Sequence, residues 1–408
     1  MLKRWTVSKD MESDKNVPLH KKGAVDNITN YRPISLISAF AKLLEKILHS
    51  RIYNQIKHQI TPAQHGFIEK KSTVTNLLTK VQFITRNLNQ CVQTDIIYTD
   101  LHKAFDSVDH GILLNKMARM GFSAKLLEFF KSYLNNRPMY VYYSRVKSYT
   151  FLANSGVPQG ANLATLLFSI YINDVTQAMN IDVLLYADDL KLLKTIYGPP
   201  DAVQLQRQLD KLISWCNANK LILNKDKCRV ISYTLSKSPI QFRYQINTYE
   251  LQRSVEIYDL GVTFQSDMSY NKHITNIITG AFKVMGIIIR NCNQFQNICT
   301  LRTLYLTMVR PKLEYASVVW SPYCTQAKSR LEALQRRYLK YLHYRKHGEY
   351  PQVGISQEYL QCEFLIPSLE YRRKLSDLTF ITNLINGRID DTCLLSQLQI
   401  LVHRTNAR

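Results

Sequence analysis

The chain has 408 residues and carries 53 Lys and Arg against 31 Asp and Glu, a formal net charge of +22. Its hydrophobic fraction of 46% excludes wholesale disorder, and its length suggests two or three domains at roughly 150 residues each. A folded protein this basic is expected to bind a polyanion, although the charge by itself also fits an intracellular protein that binds none.

The apolar pattern argues against membrane insertion and secretion. No apolar run reaches the ~18 residues of a membrane span, and residues 1–15 mix charges without the apolar core of a secretory signal. The 8 cysteines are scattered and form no C-x-x-C pair. This spacing is typical of reduced thiols inside a cell and argues against a structural zinc site.

Hydrophobic periodicity predicts a chain in which helices and strands are mixed. The predicted helices are residues 35–56, residues 112–133 with a break near Gly121, residues 165–178, and the segment that follows Asp201. The predicted strands are residues 96–99, 140–144, 147–152, both halves of 183–193, 221–223, 229–233 and 254–265.

A strong helix breaker and a change of pattern divide the second half of the chain. Gly198-Pro199-Pro200 ends one segment, and Asp201 stands where the N-cap of the next helix is expected. From His273 onward the pattern is mostly helical. We expect a domain boundary near residues 270–275.

Two acidic elements are candidates for a catalytic centre. Asp188 and Asp189 lie at the turn of the predicted hairpin, and Asp100 follows the apolar strand 96–99. A carboxylate at the end of a buried strand is costly unless it is paired or metal-bound. If that strand lies beside the hairpin, Asp100 and Asp188 converge as ligands for hard divalent cations.

Plainer interpretations of these acids remain open. Asp is common in turns because its side chain bonds nearby backbone N–H groups. Asp106 and Asp109 equally fit the cap of a helix that begins near Ser107. The Gly-Val-Pro-Gln-Gly segment at residues 156–160 exposes backbone to a substrate, but by itself it also fits an ordinary turn before a helix.

The order of short motifs along the chain resembles the reverse transcriptases of non-LTR retrotransposons, of the LINE-like and jockey-like kind. The resemblance runs from about residue 17 to about residue 323. The motifs are N-Y-R-P-I-S-L at 30–36, Q-H-G-F at 64–67, motif A at 100–106, motif B at 156–160 with its continuation at 168–174, Y-A-D-D at 186–189, L-N with Lys227 in motif D, L-G-V at 260–262, and Y-A-S-V-V-W-S-P-Y at 315–323.

This resemblance implies an α+β, right-hand polymerase fold with an antiparallel palm sheet and a mostly helical C-terminal region. Residues 1–95 would form the N-terminal part of the fingers. Residues 96–272 would form the palm, with the remaining fingers elements and the primer-grip turn. Residues 273–408 would form the thumb and the C-terminal region.

The same resemblance implies an RNA-directed DNA polymerase that uses two metal ions, Mg²⁺ or alternatively Mn²⁺. Asp100 and Asp188 would hold the metals, with Asp189 assisting and the carbonyl of Leu101 as a backbone ligand. Lys227 would donate a proton to pyrophosphate. The expected partners are an RNA template, a DNA primer and dNTPs, which agree with a nuclear or cytoplasmic location.

Further roles implied by the resemblance concern the incoming nucleotide and the primer. Phe105 would sit under the sugar and exclude a 2′-hydroxyl. The remaining assignments are Gln159 and Gly160 at the nucleotide, Arg32 with Lys21 or Lys22 at the triphosphate, and Leu260 and Gly261 in the primer grip.

The chain departs from the family pattern in motif B and in motif A. Ala161 replaces the usual Ser, Ala164-Thr165 replaces Gly-Pro, and His102 replaces a smaller or apolar residue. Fewer than thirty residues precede the first fingers motif, so we expect no N-terminal endonuclease domain. Two other interpretations therefore stay open: a remnant that binds nucleic acid without turnover, and the poorly folded product of a decayed reading frame.

A basic stretch at residues 328–346 is the candidate nucleic-acid surface, with Arg336, Arg337 and Lys340 at its centre. A solvated basic face on a packed helix fits it equally well. The tyrosines within it, Tyr338, Tyr341 and Tyr344, are expected to pack rather than stack on bases. Arg372-Arg373-Lys374 forms a second, weaker basic cluster.

Overall fold

The computed structural model describes residues 14–21, 23–135 and 137–398. Lys22, which the sequence assigns to the triphosphate, lies outside the described residues. Two compact units divide the chain: the first holds the described residues up to 68 with 95–230 and 240–253, and the second holds 69–94, 231–239 and 254–398. In the described part, no helix is both long and apolar enough to cross a membrane.

The strands and helices of the described residues alternate along the chain. The strands are β1 Asp14–His20, β2 Tyr31–Leu36, β3 Gln93–Thr99, β4 Arg137–Tyr143, β5 Val146–Lys147, β6 Phe151–Ala153, β7 Asp182–Tyr186, β8 Asp189–Ile196, β9 Arg229–Tyr233, β10 Gln245–Ile246, β11 Tyr249–Glu250, β12 Gln252–Arg253, β13 Glu256–Asp259 and β14 Val262–Gln265. The helices are α1 Ala39–Ile56, α2 Thr73–Asn89, α3 His110–Arg119, α4 Ala124–Leu134, α5 Asn162–Ile172, α6 Pro199–Ala218, α7 Asn271–Asn291, α8 Ile298–Leu304, α9 Arg310–Glu314, α10 Ser317–Trp320, α11 Thr325–His347, α12 Gln357–Phe364, α13 Leu369–Ile385 and α14 Thr392–Leu395.

The central sheet of the first unit has the strand order β12-β9-β3-β8-β7. β3 is buried along nearly its whole length, as expected for a strand in the middle of a sheet. β7 and β8 form the predicted antiparallel hairpin. The short edge strand β12 instead pairs in parallel with β9, so the predicted antiparallel pairing does not extend to this edge.

Helices and a second sheet complete the first unit. The apolar helix α5 packs against α1 and α3, and α6 packs on β8. In the second sheet, β1 lies between β2 and β4, and β5 and β6 both pair with β4. This sheet carries Arg32 on β2 and connects directly to the motif B loop, because the Ser35 N–H donates to the Gln159 carbonyl at 2.8 Å.

Several predicted boundaries are wrong. Residues 35–36 belong to β2, and α1 begins only at Ala39, because the Ser38 side chain caps the helix there. Asp201 is not an N-cap: Gly198 occupies that position, and Asp201 lies in the first turn, where its Oδ2 accepts from the Gly198 N–H at 3.1 Å. Residues 221–223 form no strand but a single bridge between Leu223 and Leu101.

The other helical predictions need smaller changes. The predicted break near Gly121 is confirmed, since α3 ends at Arg119 and α4 begins at Ala124. α5 begins at Asn162, before the predicted start, and a 3₁₀ turn at Asn173–Ala178 continues it.

The second unit is mainly helical and buries several aromatic side chains. Trp320 is fully buried and packs edge-on against His273, and Tyr305 stacks on Tyr338 at 4.7 Å between ring centroids. A buried ion pair joins α2 to β13: Lys80 Nζ lies 2.5 Å from Asp259 Oδ2 and over the Phe264 ring. Because both charges are desolvated, each depends on the other.

We predict that the Lys80–Asp259 pair behaves as a unit in stability measurements. Asp259→Asn should lower the free energy of unfolding by about 3–5 kcal/mol, because it removes the carboxylate that faces a buried ammonium. The double change Lys80→Met with Asp259→Leu should cost much less. Urea denaturation of the wild type, each single variant and the double variant measures this. Additive losses in the double variant would contradict the prediction.

Candidate active site

Asp100 is held at the end of β3 by a neighbouring backbone segment. The Asp100 carbonyl accepts from the Asn224 N–H at 2.8 Å, and the His102 N–H donates to the Ile222 carbonyl at 2.7 Å. The same segment leads to Lys227, whose Nζ lies 2.6 Å from Asp100 Oδ2. Motifs A and D of the sequence are therefore in direct contact.

The position of Leu101 is compatible with a carbonyl ligand. Leu101 is buried and forms an isolated antiparallel bridge with Leu223. The two hydrogen bonds that flank this bridge use the carbonyls of Asp100 and Ile222. Neither of them uses the Leu101 carbonyl, so the bridge does not compete with the predicted role.

The hairpin turn presents Asp188 with a strained backbone next to it. Tyr186 pairs with Asp189, which leaves Ala187 and Asp188 as a two-residue loop. Ala187 has φ = 55°, in the left-handed region that L-residues other than Asn and Asp seldom adopt. Asp188 is half-buried at this turn, and Asp189 begins β8 as an exposed residue. Strain of this kind is common where a side chain is fixed for function.

The Q-H-G-F segment at residues 64–67 is hydrogen-bonded to this strained turn. The buried Gln64 side chain bonds both backbone polar groups of Ala187: Oε1 accepts from its N–H at 3.0 Å, and Nε2 donates to its carbonyl at 3.4 Å. Backbone bonds reinforce the contact, since the His65 N–H donates to the Leu185 carbonyl at 2.9 Å. A Cβ on Gly66 would lie 2.3 Å from the Ala187 nitrogen. Gln64 and Gly66 therefore fix the turn that carries Asp188.

Burial and a like charge disfavour ionisation of Asp188. Its pKa is raised from the ordinary value of 3.8, mainly because the carboxyl is desolvated and further because the charge of Asp100 is near. Its own backbone N–H and the positive charges of Arg32 and Lys21 lower the pKa. The charge of Asp100 therefore acts on Asp188, and so do the positive charges of Arg32 and Lys21. This is the arrangement expected of a divalent-cation site.

The motif B loop packs directly on motif A. Backbone bonds join the Val157 N–H to the Phe105 carbonyl at 2.9 Å and the Gly156 N–H to the Val108 carbonyl at 2.8 Å. Gly156 has φ = +86°, and a Cβ there would lie 2.8 Å from the Asp106 carbonyl oxygen, so only glycine fits. Gln159 Nε2 lies 3.4 Å from Asp106 Oδ1, and burial raises the pKa of that carboxyl.

The start of α5 has a substitute for the missing serine of motif B. Ala161 is the N-cap residue and offers no side-chain acceptor. The buried Glu45 of α1 takes this role, because its Oε2 accepts from the Asn162 N–H at 2.8 Å. Tyr133 Oη donates to Glu45 Oε1 at 2.7 Å and keeps the carboxylate in place. The departure at Ala161 therefore does not leave the helix uncapped.

Phe105 lies in an aromatic cluster beside the two acidic elements. Its ring stacks on Phe168 at 4.6 Å between centroids and meets Phe67 edge-on at 6.2 Å. Packing on both sides restricts the ring, which is the property needed if Phe105 is to exclude a sugar substituent. Gly160 follows in the same loop with φ = +107° and approaches the Ser35 carbonyl.

The predicted primer-grip residues lie in the second unit, at the turn of the β13–β14 hairpin. Leu260 and Gly261 both have positive φ, 44° and 91°, which defines a tight two-residue turn. Tyr315 Oη donates to the Leu260 carbonyl at 3.0 Å, and its ring leaves no room for a Cβ on Gly261. The Y-A-S-V-V-W-S-P-Y segment thus supports this turn through its first residue.

The basic stretch lies on α11, and part of its charge is used inside the second unit. Lys328 pairs with Glu370, and Arg345 donates to the carbonyls of residues 292, 293 and 295. Of the three predicted nucleic-acid contacts, Arg336 is half-buried and donates to the Ile355 carbonyl, Lys340 is half-buried, and Arg337 is exposed. Tyr338 and Tyr341 are buried and Tyr344 is exposed, so the preference for packing fits the first two.

The weaker basic cluster at residues 372–374 leaves only Lys374 largely exposed. Arg372 forms a bidentate pair with Glu314, and Arg373 is almost completely buried. Lys374 lies 3.5 Å from Glu370. Helix packing, which the local sequence does not reveal, buries Arg373 and pairs Arg372 with Glu314.

The sequence motifs imply no catalytic or binding role for four residues near the site. They are Gln64 and Gly66, which fix the Ala187 turn, Asp106, which faces Gln159, and Glu45, which caps α5. The Q-x-G-F motif was the available signal for the first two, but it carries no indication of the strand that it contacts.

We predict that Gly66→Ala distorts the Asp188 turn. The new Cβ would collide with backbone at Ala187, which cannot move aside, so the free energy of unfolding should fall by about 2–3 kcal/mol. The control is Gly280→Ala in α7, where a Cβ has open space and the change should be neutral or stabilising. Equal urea midpoints for the two variants would refute the steric argument.

Asp188→Asn should stabilise the protein at neutral pH. A carboxyl whose pKa rises on folding binds its proton more tightly in the folded state, so the free energy of unfolding falls as pH rises through that pKa. Asn cannot ionise, so the free energy of unfolding of the variant does not fall for this reason. The difference between variant and wild type should grow from acidic to neutral pH, measured by denaturation at several pH values. Asp182→Asn, at the exposed opposite end of the hairpin, is the control, and a shared profile would contradict the prediction.

Comparison with known proteins agrees with this geometry. The reverse transcriptase (RNA-dependent DNA polymerase) family matches residues 19–264. A probable RNA-directed DNA polymerase from transposon BS of Drosophila melanogaster is 26% identical over 337 residues, which cover 79% of this chain and 37% of that protein. The RNA-directed DNA polymerase from mobile element jockey of the same species is 26% identical over 342 residues, with the same coverages. The chain spans about 37% of the length of these relatives.

Among solved structures, the chain is similar to a telomerase from Candida albicans determined in complex with a TWJ fragment of telomeric RNA. The TM-score is 0.52 at 12% identity, over 97% of this chain and 68% of that one. The predicted right-hand polymerase fold is confirmed by this likeness. Because the family match covers more than half of the sequence, the chain belongs to the reverse transcriptase family.

Proposed function

We propose that this chain is the polymerase of a non-LTR retrotransposon and adds dNTPs to the 3′-hydroxyl of a DNA primer along an RNA template. The observation that carries the proposal is the convergence of Asp100 and Asp188 at the ends of neighbouring strands, with Lys227, Arg32 and Lys21 around them. Phosphoryl transfer requires positioning and charge neutralisation rather than covalent catalysis, and these residues supply both. With a substrate of this kind, we expect the protein in the nucleus or the cytoplasm.

The donor set fits divalent metal ions, which reverse transcriptases use. Asp188 is desolvated beside Asp100, and the Lys227 ammonium already neutralises one oxygen of Asp100. Asp100, Asp188 and the Leu101 carbonyl would hold the ions, with Asp189 assisting. All of these ligands are oxygens, which suit Mg²⁺ and also Mn²⁺; we propose Mg²⁺, with Mn²⁺ as the alternative. When bound, the ions supply activation of the primer hydroxyl and neutralisation of charge on the phosphates.

The chain's own residues orient the nucleotide. Arg32 and Lys21 contact the triphosphate. Their positive charges lower the pKa of Asp188, which indicates that both act at this site. Gln159 and Gly160 contact the nucleotide from the motif B loop, and the Phe105 ring excludes a 2′-hydroxyl. Lys227 first moves away from Asp100 and then donates a proton to the pyrophosphate leaving group. In the second unit, the turn at Leu260 and Gly261 holds the primer, and the exposed Arg337 contacts nucleic-acid phosphates with Lys340 and Arg336 beside it.

A second candidate function is binding to nucleic acid without turnover. The altered motif B residues, Ala161 and Ala164-Thr165, favour it. The Glu45 contact to the start of α5 weakens this alternative, because it restores the capping that Ala161 lacks. Salt-sensitive binding of an RNA–DNA hybrid without extension under any metal would support the second candidate.

Primer extension on an RNA template with Mg²⁺ tests the proposed activity. We predict extension by the wild type, and a loss of about 10³-fold or more in Asp100→Asn and Asp188→Asn, because metal-assisted charge stabilisation is worth several kcal/mol. Asp182→Asn, on the same hairpin, should retain wild-type activity. Undiminished extension by Asp188→Asn would refute the assigned mechanism.

Phe105→Val should relax discrimination between sugars. Removing the ring opens space for a 2′-hydroxyl, so the ratio of kcat/KM for an rNTP to that for the matching dNTP should rise by about tenfold or more. Single-nucleotide incorporation with both substrates measures the ratio. Phe122→Val, another partly buried aromatic of the first unit, is the control. An unchanged ratio in Phe105→Val with normal dNTP incorporation would remove Phe105 from the sugar site.

A further inference from the structure

Two histidines and a glutamate meet on neighbouring helices of the second unit. His343 and His347 lie one turn apart at the end of α11, and their ring centroids are 4.4 Å apart. Glu363 of α12 faces both: its Oε2 lies 3.1 Å from His343 Nδ1, and its Oε1 lies 2.6 Å from His347 Nε2. One nitrogen of each ring and a carboxylate oxygen all lie within 4.8 Å of one another.

The helices that carry these side chains are well fixed. α11 packs against α12, and Leu342 on α11 and Leu360 and Phe364 on α12 are buried beside the cluster. Gly348, with φ = 80°, ends α11 one residue after His347. The three ligand atoms are thus held by two packed elements rather than by loops.

The chemistry of the three groups is that of a transition-metal site. Two His at i and i+4 on one helix face, with a carboxylate from a second element, is a ligand set used for Zn²⁺. Tetrahedral ligands about 2.1 Å from zinc lie roughly 3.4 Å apart, and the three ligand atoms here, all within 4.8 Å of one another, are near this spacing. Zn²⁺ and other late first-row transition-metal ions bind imidazole well, whereas Mg²⁺ prefers oxygen ligands.

We propose that His343, His347 and Glu363 bind a divalent transition-metal ion of the zinc class, which pins α12 to the end of α11. Water completes the coordination. This site is separate from the polymerase carboxylates, which lie in the first unit and offer only oxygen ligands. Cysteine spacing, which argues against a zinc site, concerns thiolate ligands alone and does not bear on this cluster.

Lys346 is the competitor for this site. Its Nζ lies 2.9 Å from Glu363 Oε1, so it neutralises the carboxylate that the metal would use. Its side chain is 45% exposed and flexible enough to swing into solvent. Metal binding displaces this ammonium, and removal of Lys346 therefore favours the metal. If the cluster is only a set of hydrogen bonds between α11 and α12, the opposite result is expected, because loss of Lys346 would only weaken that contact.

Titration of the metal-free full chain with Co²⁺, followed by Zn²⁺ competition, tests the proposal. Excess Mg²⁺ is present throughout to occupy the oxygen-rich carboxylates. We expect one Co²⁺ with the visible absorption of a four-coordinate nitrogen and oxygen site, displaced by Zn²⁺. Zn²⁺ should also raise the Tm. His347→Ala, a change at a largely exposed side chain, and Glu363→Gln should each weaken binding by more than about tenfold.

Two further variants separate the possible outcomes. His58→Ala removes an exposed imidazole elsewhere and should leave binding unchanged, whereas Lys346→Met should bind at least as tightly as the wild type. Equal Co²⁺ affinity in the wild type and His347→Ala would overturn the proposal. So would a thiolate-to-metal absorption band that disappears in Cys362→Ser, or loss of binding in Lys346→Met.

Discussion

The first unit depends on the close approach of two carboxylates, Asp100 and Asp188. Water weakens the repulsion between two carboxylates, and a half-buried position makes that repulsion stronger. The sheet imposes the approach, because β3 and β8 are neighbours and each acidic residue lies where its strand begins or ends. Cationic side chains, above all Lys227 on Asp100, offset part of the cost in the protein alone.

Hydrogen bonds to backbone groups fix the segments that carry the two carboxylates. Asp100 is fixed by hydrogen bonds to the segment that leads to Lys227. The turn before Asp188 contains Ala187 in a left-handed conformation, and Gln64 satisfies both polar groups of that residue. The motif B loop docks on motif A through Gly156, where no other residue fits. The strained backbone lowers the stability of the fold but fixes the geometry of the site, as is common at functional sites.

The sequence predicted those features that depend on local pattern. The β7–β8 hairpin with Asp188 at its turn, the buried strand before Asp100 and the break near Gly121 follow from periodicity and turn residues. Contacts between distant segments could not be predicted in this way. The Gln64 clasp joins residues 123 positions apart, and Glu45 caps a helix 117 positions away. The burial of Arg373 and the pairing of Arg372 with Glu314 likewise arise from helix packing.

The most direct test of the central claim is the free energy of unfolding as a function of Mg²⁺ concentration at neutral pH. If Asp100 and Asp188 form a cation site, Mg²⁺ binds the folded wild type and stabilises it by RT ln(1 + [Mg²⁺]/Kd). Asp100→Asn and Asp188→Asn should respond little or not at all, even though the second is the more stable protein without Mg²⁺. A rise of equal size in the wild type and in Asp188→Asn would contradict the account.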